Sequence, residues 1–205
     1  MKHWHSFPWF LSVLFLVVMF GCGGSSGGGD DDIDDDQGGG SGTIDGTTVF
    51  WQGYSLQEGD WGNLNSVQQT TDNGFIGTGW IRLDGSNFED PMDLYLVKAD
   101  SSGELVWQKR FAASTPNTSQ FGNCVLQTSE GGYILGGVRR QGTLINDFFL
   151  LRTDANGNEL AGWPKTYARA NNDGIYDLCE TSGGFVFVGG LPSGQYYMAK
   201  VNSTG

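Results

Sequence analysis

The only imidazoles in this 205-residue chain are His3 and His5, and both lie within its first six residues. A Ser-His-Asp triad, a Cys-His pair and a His-ligated metal are therefore closed to anything that folds beyond them. The three cysteines, Cys22, Cys124 and Cys179, form no C-x-x-C pair or haem-attachment motif, and no G-x-x-x-x-G-K phosphate loop is present. Carboxylates remain. Acid/base hydrolysis of a glycoside needs two of them flanking one bond. Asp60, Glu89, Asp90, Asp173 and Asp177 are the candidates, because they do not recur at matching places in the internal repeats below. Spacing nominates no pair, and a solvated loop acid is the simpler reading of each. The expectation is no catalytic residue, no cofactor and no metal.

Weaker signals sit beside these. Asp154-Ala-Asn-Gly-Asn-Glu159 resembles a calcium loop, but its glycine is fourth rather than sixth, and Asp100-Ser-Ser-Gly-Glu104 fills the same slot one repeat earlier. A hairpin turn explains both. Cys124 and Cys179 are a candidate disulfide if the chain is exported. They fall on strands of different repeats, where the Cα separation can exceed the ~7 Å a bridge tolerates. Two free thiols are the alternative. Trp61, Trp80 and Tyr54 could stack on a sugar, whereas Trp107 and Trp163 recur and read as core.

Stepping outward, residues 1–21 carry Lys2, then the apolar run Phe7–Phe20, then Gly21 before Cys22. Fourteen positions are too few for a membrane-spanning helix, which needs about 20, and suit the core of a signal peptide. A small residue followed by cysteine resembles the lipobox of bacterial lipoproteins, although Met19 and Phe20 depart from the usual residues there. The resemblance implies cleavage before Cys22 and lipid attachment to its thiol; an ordinary signal peptide or uncleaved anchor is the alternative. Gly23 after the cysteine, on the enteric sorting pattern, implies the outer membrane. Residues 22–43 are rich in Gly and Asp, with acids in one run from Asp30 to Asp36. Such a stretch buries too little apolar surface to offset its ordering entropy and reads as a disordered tether. Net charge is −12, and from residue 44 onward 17 acids face 10 bases with no basic cluster, so nucleic acid is not an expected partner.

Residues 44–205 repeat. Trp51, Trp107 and Trp163 are spaced by 56 and 56 residues. Gln69-Thr-Thr-Asp-Asn-Gly-Phe-Ile-Gly-Thr-Gly79 returns as Gln127-Thr-Ser-Glu-Gly-Gly-Tyr-Ile-Leu-Gly-Gly137, and again as Glu180–Gly190. Between them, Asp93–Gly103 is echoed by Asp147–Gly157 and Gln195–Gly205. Each copy reads as four short strands. The first centres on Val67, Val125 or Leu178, and a Gly-bearing turn leads to a second from Phe75, Tyr133 or Phe185. The third is Leu94–Ala99 or Phe148–Thr153, and the fourth carries the tryptophan and closes on Phe111 or Tyr167. No stretch keeps a 3.6-residue period for three turns. The prediction is an all-β, β-propeller-like domain of about three four-stranded antiparallel blades.

The combination D-x-x-L/F-x-K/R-x-D-x-x-G-x-x-x-W with a downstream Q-T-S/D-x-G-G-Y/F-I resembles the blade repeat of secreted bacterial β-propeller lipoproteins and surface proteins. A weaker resemblance runs to the quinoprotein (PQQ-type) repeat, which Ala99–Trp107 approaches but undershoots by one residue between Asp100 and Gly103. Read in phase, the domain opens on an orphan tryptophan strand, Thr47–Tyr54, that could complete the last blade. Three blades are below the four of a closed ring. Two chains forming a six-blade homodimer, or a partial propeller cut from a longer protein, are the two expectations. The functional expectation is an exported, lipid-anchored envelope module with a non-catalytic surface for a protein or glycan ligand. A carboxylate-based glycan enzyme, a quinoprotein-like propeller and a truncated fragment are the alternatives.

Overall fold

The computed structural model describes residues 40–44, 47–54, 56–57, 59–83, 90–142, 145–168, 173–190, 194 and 196–205. The expected signal peptide, Cys22 and most of the tether lie outside these residues. So do Glu89 and the acidic run.

The chain divides into two compact units, Met1–Gln52 and Gly53–Gly205. In the first, β1 (Gly40–Ile44) pairs antiparallel with β2 (Thr47–Trp51). The strand thus begins inside the stretch expected to be tether. The tryptophan strand of this unit, β2, has β1 as its partner.

The second unit is all-β, with no helix among the described residues and hence none long and apolar enough to cross a membrane. Its first sheet is β3 (Trp61–Gln69), β4 (Phe75–Arg82), β5 (Asp93–Ala99) and β6 (Leu105–Phe111), in chain order and antiparallel throughout. The second repeats that order with β7 (Thr118–Gln127), β8 (Tyr133–Gln141), β9 (Ile145–Thr153) and β10 (Lys165–Tyr167). The third has three strands, β11 (Gly174–Thr181), β12 (Gly184–Gly190) and β13 (Tyr196–Asn202).

Local sequence explains the turns. The β3–β4, β7–β8 and β11–β12 hairpins share a positive-φ slot, at Asn73, Gly131 and Gly183, and the third adds Gly184. Asn and Gly are the residues that enter this region at least cost. The turns after β5, β9 and β13 do the same with Gly103, Gly157 and Gly205, each donating its N–H to the carbonyl of Asp100, Asp154 or Asn202. Those three side chains also accept from the turn's own N–H groups through Oδ1. The calcium-loop resemblance therefore resolves into an Asx-type turn.

A β-bulge recurs in the first strand of every sheet, at Asn65, Asn123 and Tyr176. It re-aims the strand where it meets the preceding sheet. Asn65 Nδ2 donates to the Gly122 carbonyl at 2.8 Å, and Asn123 Nδ2 donates to the Ile175 carbonyl, also at 2.8 Å. A second latch sits at the hairpin ends. Thr71 N–H donates to Gln127 Oε1, and Ser129 N–H donates to Glu180 Oε2.

Packing between sheets follows a small-against-large rule. A Cβ on Gly122 would collide with Thr78 of the first sheet; one on Gly136 would lie 2.6 Å from Ile175 Cγ2 of the third. The tryptophans bridge the same interfaces from the outer strands. Trp107 covers Gly157, and Trp163, just before β10, lies over Gly205. Trp107 also meets Tyr133 edge-on at 5.8 Å. The main core runs through all three sheets and is densest on the middle one, where Ile134, Leu135, Leu150 and Leu151 are fully buried. At about 25 cal/mol per Å² of apolar area, each such side chain contributes about 2 kcal/mol.

Candidate functional site

Sheet topology sorts the connections by kind. The tight turns, 70–74, 100–104, 128–132, 154–157 and 181–184, all lie at one end of the sheets. The connections β4–β5, β6–β7, β10–β11 and β12–β13 start and finish at the other end, as does the short β8–β9 turn, whereas the eleven-residue β9–β10 connection belongs to the tight-turn end. Loops of varied sequence on a repeated scaffold are where recognition residues can change without loss of the core. This loop end is the candidate site.

Four of the five described arginines gather there, among Asp60, Asp90, Asp93, Asp147 and Asp173. Arg82, Arg110, Arg139 and Arg140 all sit in the last residues of strands that finish there; Arg152 alone among described arginines does not. A cleft of about 270 Å³ opens between the end of the first sheet and the β6–β7 connection, lined by Leu83, Asp90, Pro91, Asp93, Arg110, Thr115, Asn117 and Thr118 among others. Arg110 Nη1 contacts Asp93 Oδ2 at 2.8 Å. Burial pushes the Asp93 carboxyl up from its ordinary range, and the Arg110 guanidinium opposes that shift. Arg82 Nε donates to the Asp90 carbonyl and Arg139 Nη2 to Thr115 Oγ1, at 3.0 and 2.9 Å. Arg140 lies over the Phe121 ring, 4.9 Å from its centroid. Of these arginines Arg110 lines the cleft itself, beside Asp93, Asp90, Thr115, Asn117 and Thr118, a lining suited to orienting a polar ligand.

The next repeat offers different surroundings at the matching position. Asp147 occupies the place of Asp93, but Thr166 stands where the first sheet has Arg110. Asp147 Oδ1 and the neighbouring Asn146 Oδ1 are buried with no hydrogen-bond partner among the described residues. The repeated aspartate thus has different surroundings in the two sheets.

A second, smaller cavity of about 160 Å³ lies between Phe111, Gln120, Phe149 and Glu159. Burial raises the Glu159 carboxyl above its ordinary value.

The remaining sequence candidates scatter. Asp60 Oδ2 caps the turn at Gln57 N–H. Asp173 is buried at the start of β11, with its N–H on the Asn146 carbonyl. Asp177 is exposed on β11 and accepts from Leu178 N–H. Of the four that are described, Asp90 lines the larger cleft. Among the aromatics, Trp61 is 53% exposed and lies opposite Arg82, diagonal to Trp80 on one face of the first sheet. Tyr54 packs on the opposite face with Ile81, Tyr95 and Val97, its hydroxyl donating to the Gly103 carbonyl. Two of the three can therefore share a ligand; the third cannot.

Cys124 and Cys179 are both free, the first buried in β7 and the second exposed on β11. Burial pushes the Cys124 thiol up to about 12, so it is a packing residue rather than a nucleophile. No cluster of three metal-ligating side chains occurs among the described residues.

Sequence reasoning missed Arg110 and the asparagine latches. The latches left a signal, since Asn65 and Asn123 hold matching places in the repeat. Arg110 left none, because its partner is fixed only by the β5–β6 register.

No protein-family model matches the chain, and no curated protein matches it in sequence.

Proposed function

We propose that the chain is a lipid-anchored cell-envelope module of the β-propeller type, held by Cys22 to the outer membrane, and that its loop end binds an exported protein or glycan without turning it over. The observation that carries this reading is the gathering of four loop connections and four of the five described arginines at one end of a repeated sheet scaffold. The in-phase bulges, turns and inter-sheet latches support the propeller assignment, since stacked four-stranded units of this kind are its building principle. The titratable side chains support a binding role. Asp93 is held by Arg110, and Asp100 and Asp154 are engaged by their own turns.

The test uses the full chain expressed in a Gram-negative host. Wild-type protein should partition with membranes and Cys22→Ser with the soluble fraction. Purified protein should be retained by an array of envelope polysaccharides and exported proteins, with Arg110→Ala and Trp61→Ala weakening retention about tenfold. Release of product from any retained glycan would overturn the binding reading.

A further inference from the structure

The open face of the third sheet carries a pattern that the other two sheets explain. By register, Tyr196, Met198 and Lys200 of β13 stand where Leu94, Leu96 and Lys98 stand in the first sheet, and where Phe148, Leu150 and Arg152 stand in the second. The six counterparts are buried, Leu96 and Leu150 completely, beneath the first strand of the following sheet. Tyr196 is 86% exposed and Met198 77% exposed. Val186 and Val188 alternate with the core-facing Phe185 and Phe187 and so share that open face, as does the exposed Cys179 opposite Val186. Two further features of the interface face also recur without a taker. The Ser182 N–H occupies the place from which Thr71 and Ser129 reach a Gln or Glu of the next sheet. Lys200 matches Lys98 and Arg152, which pair with Asp72 and Glu130 of their own hairpins, whereas Ser182-Gly183 offers no acid. A contiguous apolar face of this kind marks an interaction surface.

The packing rule also states what fits. Each inner interface puts a glycine against a β-branched residue at its centre, Gly122 against Thr78 and Gly136 against Ile175. The open face presents Val188 at the position of Thr78 and Gly136. It therefore requires a glycine in the incoming strand, as in β7. The corresponding residue of β3 is Leu64. A second copy offering its β3 would set Leu64 against Val188, an overpacked centre. We propose that this face is an interface for a further four-stranded sheet of the same repeat, whose first strand carries glycine opposite Val188 and a Gln or Glu in the place of Gln127 and Glu180, and that a second copy of this chain does not fill it.

Gly103, Gly157 and Gly205 share one phase, so residues 104–168 can be duplicated in register after Gly205 of the full chain. This supplies a tryptophan strand and a copy of the second sheet bearing Gly122. Cys179 reports docking through its alkylation rate, read by peptide mass spectrometry so that Cys22 and Cys124 are scored separately. The expected result is a rate at least about tenfold slower in the extended chain, restored by Gly122→Leu within the added copy or by Met198→Arg. Met198→Arg in the unextended chain should leave its melting temperature unchanged, since that side chain is exposed there. Undiminished Cys179 reactivity in the extended chain, or an added sheet that stays protease-labile, would overturn the proposal. So would a dimer of the unextended chain with Cys179 protected at micromolar concentration, because β3 of a second copy would then be the occupant.

Discussion

Asn123 Nδ2 donates to the Ile175 carbonyl across 2.8 Å, from the bulge of the second sheet to the first strand of the third. The same bond joins Asn65 to Gly122 one interface earlier. A bulge leaves its extra residue outside the ladder, and here that residue is used to fasten the next sheet. Asn123→Ala leaves the Ile175 carbonyl without this donor at a buried strand. The expected loss is about 1–2 kcal/mol, read as a lower urea midpoint with unchanged slope. Asn65→Ala should cost a similar amount. An unchanged midpoint for both would show that the latches follow the packing rather than support it.

The small-against-large centre of each interface predicts a coupling. Gly136→Ala puts a methyl 2.6 Å from Ile175 Cγ2 and 2.8 Å from Leu178 Cδ2. Overpacking of this order costs about 1–3 kcal/mol. Ile175→Ala alone costs about 2–5 kcal/mol by leaving a cavity. In the double variant the added methyl finds room, so the two losses should sum to less than their total by at least about 1 kcal/mol. Additive losses would mean that the two sheets meet elsewhere than at this pair.

Much of this architecture is legible in the residues. The Asn-Gly and Gly-Gly turns and the repeated Thr70, Thr128 and Thr181 place the first two strands of each sheet within a residue or two of where they lie. The strands are called by local chemistry, because turn residues and alternation act over a few positions. What is not legible depends on register between strands distant in sequence. The bond of Arg110 to Asp93 needs β5 and β6 aligned, and the pairing of β2 with β1 needs residues that read as a tether of glycine and serine. Nor does recurrence carry the partner with it: Asp147 repeats Asp93, but Thr166 stands where the first sheet has Arg110.

Cysteine reactivity separates the two thiols. Cys124 is buried and its thiol is pushed up to about 12, while Cys179 is exposed. With Cys22 replaced by serine, one thiol per chain should react rapidly with an aromatic disulfide reagent at pH 8, and the second only on unfolding. The slow thiol's rate should follow the rate of opening as denaturant is added. Two fast thiols would place Cys124 outside the core.

Asp72 sets an acid limb of stability. Hydrogen bonds from Thr70 and Lys98 hold its carboxyl down at about 2, against an ordinary value of 3.8. A folded value below the unfolded one means the contribution is present above about pH 4 and is lost as pH falls toward 2. Lys98 is buried and keeps the Ala99 carbonyl when Asp72 is removed, while Asp72 itself is largely exposed and screened. Asp72→Asn should therefore cost about 1 kcal/mol at pH 7 and almost nothing at pH 2, so the two pH–stability curves converge at the acid end. Parallel curves would remove Asp72 as the group responsible.

Asp93 has the opposite sign. Burial raises its folded-state value and Arg110 only partly opposes this. A carboxyl that is harder to ionise when folded opposes stability at neutral pH, and the opposition fades as pH falls through its raised value. Arg110→Ala removes the opposing charge, so Asp93 should titrate higher still. The variant should lose about 1–3 kcal/mol at pH 7, as expected when a partly buried carboxylate loses its charged donor, and progressively less as falling pH protonates the carboxyl. Asp93→Asn in the Arg110→Ala background should restore most of the pH 7 loss, because the uncompensated charge is then gone. The cleft makes this more than a stability test. A ligand that brings its own cation or hydroxyl donor to Asp93 should bind Arg110→Ala more tightly relative to wild type as pH rises, whereas a ligand held by Arg110 should lose binding at every pH. The two profiles distinguish which half of the ion pair faces the ligand.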